Sequence, residues 1–493
     1  MLGLSYAFTG KFEKAIAVCK KALTLNPNDL VGRITLAVAY SSLGRDEEAR
    51  REAEEVLRID PHFTLEYASK TWPYKDVRDR DLVFNALRKA GLPETPPLPL
   101  PDKPSIAVLP FNNMSGDPEQ EYFSDGITEE IITALSKTPK LFVIARNSSF
   151  RYRGKSVWIP TVGKELGVRY VLEGSVRRSE DKVRVTAQLI DAVSNQHLWA
   201  ERYDRDLKDI FAIQDDITKN IVTAIQVKIT HGEQAIMSAE GTKNIDAYLS
   251  YLQAWDYARR FNKADNVKAR QLAEQTIALD PEYDKGFSVL GFVEIVDVWL
   301  GASKSPKDSL MRCMELAGKS IAIRDSPLPH RLLALTYVLL RKHDTAIEEA
   351  KNAVDMAPNY ADAYLSLGHV YMLTDMGEEG VSVLQKGIRL NPYPPSPYFQ
   401  NLAWSYYMSG KYEEAIEAAR KAVAVGPKDI IAHRALICAY LSVGREEEAR
   451  RHAAEVLKID PDFSVERSAK TSPLKNKEKA RKISEQYRMA GLR

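Results

Sequence analysis

The sequence predicts a mainly α-helical chain, a superhelix of stacked helix pairs, with one central α/β (α+β) domain set into it. Two observations predict this. Small residues, a tyrosine, a glycine and a proline recur on both flanks at a period of 34 residues, the spacing of Pro27 and Pro61. Between the flanks, from Lys103 to about residue 230, the period stops, and short apolar runs alternate with helical spacings.

The repeats come first in the chain. Leu2-Gly3, Tyr6, Gly10, Ala15, Ala22 and Pro27 form one unit. Leu36-Ala37, Tyr40, Gly44, Ala49, Ala53 and Pro61 form the next. The small residues let paired helices approach closely, the large ones fill the space between them, and the proline stops the second helix. After the central segment the pattern returns at Ala269, Ala273 and Pro281, then at Leu290-Gly291, where the stretch Gly301–Asp308 looks longer than usual. Leu333-Ala334, Tyr337, Ala346, Ala350 and Pro358 follow, then a weaker unit with Gly380 and Gly387 in place of alanine. Leu402-Ala403 to Pro427 and Leu436 to Pro461 complete the series. This pattern resembles the tetratricopeptide repeat, and so many units in register imply a stacked solenoid.

Residues 1–92 align with 401–492 without a gap. LGRDEEARREAEEVLRIDPHF matches VGREEEARRHAAEVLKIDPDF, and Ala90-Gly91-Leu92 matches Ala490-Gly491-Leu492. The expected organisation is a repeat segment at 1–92, a proline-rich spacer at 93–102, a mixed domain at 103–230 and a repeat superhelix at 231–493. The segment 1–92 reads as the end of one such chain preceding the body of another. Met1 falls inside a repeat helix, so a start within a longer ancestral chain is expected.

In the central domain, Ile106, Val108 and Leu109 read as a buried strand. Phe123, Ile127, Ile131 and Leu135 are spaced as a helix over 121–137. Leu141–Ala145 reads as a strand, 170–176 with 183–190 as a hairpin, His197–Tyr203 as a strand, and Ile210–Ile229 as a closing helix. IAVLPF, FSDGITEEI, VIARNSSF, GVRYVLEGSVR and HLWAERYDR follow one another here. In that order they resemble the TolB amino-terminal and FlgO-like domains. Many bacterial proteins carry such a domain between a class III adenylate/guanylate cyclase domain, or a winged-helix DNA-binding domain, and tetratricopeptide repeats. The resemblance implies a fold and a context, not a reaction.

Chemistry is mostly absent. The chain has 493 residues, a net charge of +2 and 28% charged residues, which suits a globular protein without a general nucleic-acid surface. Cys19, Cys313 and Cys438 have neither disulfide nor zinc spacing. Gly154-Lys155-Ser156 lacks the earlier glycine of a phosphate-binding loop, since position 149 is Ser149. There is no G-x-S-x-G, H-E-x-x-H or C-x-x-C, and no stretch resembles a cyclase catalytic domain. Arg146, Arg151, Arg153 and Lys155 lie among Phe150, Tyr152 and Trp158, and are read as a strand-to-loop edge rather than a nucleic-acid platform. No apolar run is long enough to span a membrane, and no signal peptide is evident, so the cytoplasm is expected.

The expected function is therefore non-catalytic: a protein-interaction and sensory scaffold holding a protein or peptide in the groove of the repeats. No cofactor, metal or nucleic acid is expected, and the oligomeric state is left open. In the register of the repeats, Arg331, Leu335, His369, Met372, Trp404, Tyr407 and Arg434 would project into that groove, and aromatic and arginine side chains are the usual anchors of an interface. The alternative is the regulatory part of an adenylate/guanylate cyclase whose catalytic domain lies elsewhere.

Overall fold

A computed structural model describes residues 2–61, 63–72, 77–93, 97–155, 157–227 and 241–493. Two compact units are distinguished. The first is Met1–Ala107 with Tyr152–Leu172 and Gln188–Ala200; the second is Val108–Arg151 with Glu173–Ala187 and Glu201–Arg493.

The first unit begins with α1 (Leu2–Phe8), α2 (Phe12–Leu25), α3 (Leu30–Ser42), α4 (Asp46–Ile59), α5 (Leu65–Thr71) and α6 (Val77–Lys89). Ala15, Ala37 and Ala49 are fully buried where helices cross, and Tyr40 fills the space beside them. Thr64 caps α5 by accepting from the Tyr67 amide. Trp72 packs between Phe63 and Phe84, with ring centroids 6.0 and 5.8 Å away.

The central sheet contains β1 (Ser105–Val108), β2 (Asn112–Asn113), β3 (Phe142–Val143), β4 (Tyr170–Ser179), β5 (Lys182–Asp191) and β6 (Gln196–Asp206). Its order is β3-β1-β4-β5-β6, and β2 pairs in parallel with β4 at Asn112–Ser175 and Asn113–Val176. A two-residue turn joins β4 to β5, with Glu180 at φ 51°, as such hairpins require. The helices are α7 (Glu121–Ser136), α8 (Arg146–Phe150), α9 (Ile159–Leu166) and α10 (Ile210–Ala224). Ile127, Ile131 and Leu135 on α7 are fully buried, as their spacing predicts. The expected strand at Leu141–Ala145 shortens to two residues. Arg146–Phe150, expected as a strand-to-loop edge, is instead a helical turn. The last two residues of the helix expected over 210–229 lie outside the described residues.

In the second unit the repeats are α11 (Ile245–Ala258) with α12 (Lys263–Leu279), α13 (Asp284–Trp299) with α14 (Pro306–Ile323), and α15 (Pro327–Leu339) with α16 (His343–Met356). Then come α17 (Ala361–Leu373) with α18 (Gly377–Leu390), α19 (Ser396–Met408) with α20 (Tyr412–Val425), and α21 (Ile430–Ser442) with α22 (Glu446–Ile459). The short α23 (Val465–Thr471) and α24 (Lys477–Met489) follow. Gly368 shows why small residues recur: a Cβ there would lie 2.4 Å from Leu384 Cγ. The helices α2 to α6 recur 400 positions later as α20 to α24, with the same bounds and no strand in either segment. Even a tail bond recurs, Leu65 N–H to Pro93 O in one and Val465 N–H to Arg493 O in the other.

Gly174 on β4 is a close-approach position. A Cβ there would lie 2.2 Å from the Thr186 carbonyl oxygen and 2.9 Å from the Phe111 ring. Gly174→Ala should destabilise the chain by about 1–3 kcal/mol, the usual cost of overpacking. Thermal unfolding followed by near-ultraviolet circular dichroism checks this, and an unchanged midpoint would contradict the close packing.

Candidate protein-interaction surface

All seven expected groove residues lie in the second unit. Arg331 is 8% exposed; its Nε donates to Ser366 Oγ at 3.1 Å and its Nη1 to Tyr360 OH at 3.1 Å. Its guanidinium also sits 5.9 Å from the Phe292 ring centroid. Leu335 and Met372 are buried. His369 is half-buried, and its Nδ1 is 2.7 Å from Asn401 Oδ1, so that nitrogen carries the proton. Burial holds the His369 imidazole below its usual pKa.

Trp404, 6% exposed, donates from Nε1 to the Ile431 carbonyl at 3.3 Å and meets Tyr407 edge-on at 5.5 Å. The buried Tyr407 donates from its hydroxyl to Gln486 Oε1 at 2.6 Å. Half-buried Arg434 donates from Nε to Tyr487 OH at 3.0 Å and from Nη2 to Ser468 Oγ at 2.8 Å.

The sequence expectation of one open wall therefore needs correcting. Arg331, Leu335, Met372, Trp404 and Tyr407 are packed side chains, and only His369 and Arg434 keep partial exposure. The physical reason is that most of these side chains reach the next repeat, Arg331 to Ser366 and Tyr360, His369 to Asn401 and Trp404 to Ile431, while Tyr407 and Arg434 meet the C-terminal segment. Helical register tells which way a residue faces, but not what lies over it.

The helix α7 packs against the start of the array. Its Glu129 pairs with Arg259 and, at 3.2 Å, with Arg146. Glu130 pairs with Lys285 at 2.5 Å and accepts from Tyr251 OH at 3.4 Å. Asp125 lies 3.5 Å from Arg146. Burial, with the Glu130 charge beside it, pushes the Tyr251 phenol well above its ordinary pKa. Beyond α7, Asn359 Nδ2 donates to Thr138 O at 2.8 Å, and Ser148 Oγ to Asn391 Oδ1 at 2.6 Å. Arg151 stacks 3.9 Å over the Tyr393 ring and Arg389 4.5 Å over Phe142. Arg146 and Arg151, candidates for a nucleic-acid edge by composition, are thus engaged inside the protein.

Tyr407 and Arg434 are met by the segment from Ser472 through α24, which sequence reasoning missed. It crosses the turns that join the two helices of successive repeats. Arg341 Nη2 donates to the Lys470 and Ser472 carbonyls at 3.2 and 2.9 Å. Asp375 accepts from Asn476 at 2.8 Å and from Lys479 at 2.5 Å, and Lys479 also donates to Met408 O at 2.8 Å. A signal for this contact was in the sequence. At these turns the chain takes a left-handed residue: Gly10, Gly44, Gly301, Gly410 and Gly444, but also Phe261, Arg341 and Asp375. A side chain in that conformation costs roughly 1–2 kcal/mol. Two of the three exceptions hold the C-terminal segment.

Little here is reactive. Burial pushes the Cys313 and Cys438 thiols up to about 12, away from the nucleophilic thiolate. Burial and the neighbouring His433, 2.9 Å away between Nδ1 atoms, hold His452 down to about 4. Among the described residues no group of three His, Cys, Asp or Glu is placed to hold a metal, and no helix is long and apolar enough to cross a membrane.

Trp404→Ala should lower stability by about 3–5 kcal/mol, as truncating a buried aromatic usually does. The check is the thermal midpoint; a variant as stable as the parent would contradict the buried position.

Comparison with known proteins agrees with the repeats. Residues 9–70 and 396–429 match families described as tetratricopeptide repeat. Residues 102–220 match the second domain of HilA/YgeH-like transcriptional regulators, a different family from the TolB and FlgO-like domains that the motifs resemble. A protein called "Putative adenylate cyclase 3" from Rhizobium meliloti (strain 1021) is 45% identical over 280 residues, 56% of this chain. The chain spans about half of that relative's length, the match covering 46% of it. The Small glutamine-rich tetratricopeptide repeat-containing protein 2 of Mycosarcoma maydis is 32% identical over 80 residues, 16% of this chain and 23% of its own. The crystal structure of a thermophilic tetratricopeptide-repeat protein of Thermus thermophilus is similar at 24% identity and a TM-score of 0.30, over 34% of this chain and 92% of its own. On both sides of a central mixed domain, this chain carries tetratricopeptide repeats.

Proposed function

We propose that this chain is a non-catalytic protein-interaction and sensory scaffold of a bacterial signalling system, acting in the cytoplasm and holding a partner protein on its second repeat array. The observation that carries the reading is the array itself: stacked helix pairs present one side-chain row per repeat, a geometry suited to extended or helical peptides. His369 and Arg434 are the wall residues within a partner's reach, and the buried members of the set support them. At the other end of the array, Phe261 and Trp299 stack 5.9 Å apart while 46% and 43% exposed. Exposed paired aromatics of this kind suit an interface anchor.

A second reading is the regulatory part of an adenylate/guanylate cyclase, favoured by the relative called a putative adenylate cyclase. In that reading the partner is a catalytic domain, supplied by another chain or by sequence outside this one. The two readings share one experiment. The tagged chain is purified from its own cells, its retained proteins are quantified by mass spectrometry, and cyclic nucleotide formation is measured with ATP and GTP. Retention of one protein in near-stoichiometric amount, without cyclic nucleotide from the chain alone, is expected. A chain that makes cyclic nucleotide by itself, or retains no protein, would contradict the scaffold.

A further inference from the structure

We infer that the edge of the second array, formed by the turns within the repeats α15 to α21, is a docking surface for a basic amphipathic helix, and that α24 is its built-in occupant. The inference deepens the scaffold reading and rests on it, because it names the chemistry of the partner and the step that admits it.

The contacts along this edge are of two kinds. One kind is electrostatic. Residues 472–493 carry seven lysines and arginines against two glutamates. Lys475 reaches Asp344 at 3.5 Å and Lys479 reaches Asp375 at 2.5 Å. These carboxylates belong to successive repeats, Asp344 in the first turn of α16 and Asp375 in the turn after α17. The other kind is apolar and hydrogen-bonded. Ile483 and Tyr487 on α24 are buried against the array, and Gln486 lies between Tyr407 OH and the Cys438 carbonyl, at 2.6 and 3.2 Å. The Arg434 guanidinium sits 5.1 Å from the Tyr487 ring centroid. A lysine just before the helix, then Lys479, Ile483 and Gln486-Tyr487 on α24, is the recognition pattern that the edge reads.

The segment is held as a ligand is held. It joins α22 through a short helix and an irregular stretch, and its ion pairs are largely open to water: the Lys479 and Asp375 side chains are 36% and 32% exposed, and Lys475 and Asp344 are 52% and 94% exposed. Such pairs contribute little each and are weakened by salt. Release therefore leaves an edge with Tyr407, two carboxylates for lysines and two arginines, Arg341 and Arg434, for carbonyl and aromatic groups, which a partner of the same chemistry can take. A tethered occupant competes at an effective concentration set by its short linker, on the millimolar scale.

The test uses a fluorescein-labelled peptide of residues 472–493 and fluorescence anisotropy. The chain ending at Thr471 should bind it at micromolar concentration, and the full chain about 100-fold more weakly, through competition by the tethered copy. A shortened chain that keeps its circular dichroism spectrum and binds no peptide overturns the inference. If the shortened chain unfolds, the full chain carrying Lys475→Glu and Lys479→Glu decides. Amide exchange at 477–489 should then quicken at least 10-fold while 430–442 stays protected, and the peptide should bind. Unaltered exchange, or exchange quickened equally in both segments, makes α24 a fixed cap and overturns the inference. The scaffold reading is separable from this one. A protein partner captured equally well with and without residues 472–493 leaves the scaffold standing and removes the docking edge. Peptide binding by the shortened chain, with no protein partner in its cells, does the reverse.

Discussion

Three carboxylates on one largely buried helix constrain the second unit. Asp125, Glu129 and Glu130 lie on α7 among Ile127, Ile131 and Leu135, and an ionised carboxylate removed from water is destabilising by several kcal/mol unless matched. The matching charges come from three places: Arg146 on α8, Arg259 after α11, and Lys285 at the start of α13. Hydrophobic burial would hold α7 against many apolar surfaces. The charges select one. Gly126 tightens the fit, since a Cβ there would lie 2.5 Å from Leu252 on α11. The loops between repeats complete the attachment through Asn359 and Asn391.

The second array thereby has its loops between repeats committed to α7, β3 and α8, while the turns within repeats are left for α24. The same chain thus furnishes partners for both sets of connections along the array. Tyr407 and Arg434 are held by α24, while Arg331 and Trp404 are held by the repeat that follows them. This packing also gives the left-handed turns a meaning. Glycine suffices where a turn only reverses the chain. Arg341 and Asp375 tolerate backbone strain because their side chains hold something, and Phe261 carries the same strain with its ring stacked on Trp299 in the open.

Much of the fold was legible in the sequence because close packing leaves a periodic mark. Ala15, Ala49 and Ala415 are small and fully buried where helices cross, and at Gly368 even a Cβ would not fit. The 400-residue offset was legible for the same reason, and the helix bounds repeat with it. In the central domain, α7 was legible from its spacing, but β3 and α8 were not: Leu141–Ala145 is apolar enough for a longer strand, and its register is ended by contacts with Asn391 and Leu390 that lie some 245 residues away. The candidate site was legible by direction only. Trp404 and Tyr407 face inward as the register predicts, yet Tyr407 is met by Gln486 on α24, and the only mark of that packing in the sequence is the non-glycine residue at two turns, Arg341 and Asp375.

The α7 charges key this helix to the array. A double-mutant cycle of Glu129→Ala and Arg259→Ala, read as the free energy of unfolding, tests this most directly. A coupling of about 1–3 kcal/mol is predicted, the upper part of the range of roughly 0.5–3 kcal/mol for contacting partners in one network. Effects that add to within about 0.5 kcal/mol would mean that the two residues act independently, and would contradict the account.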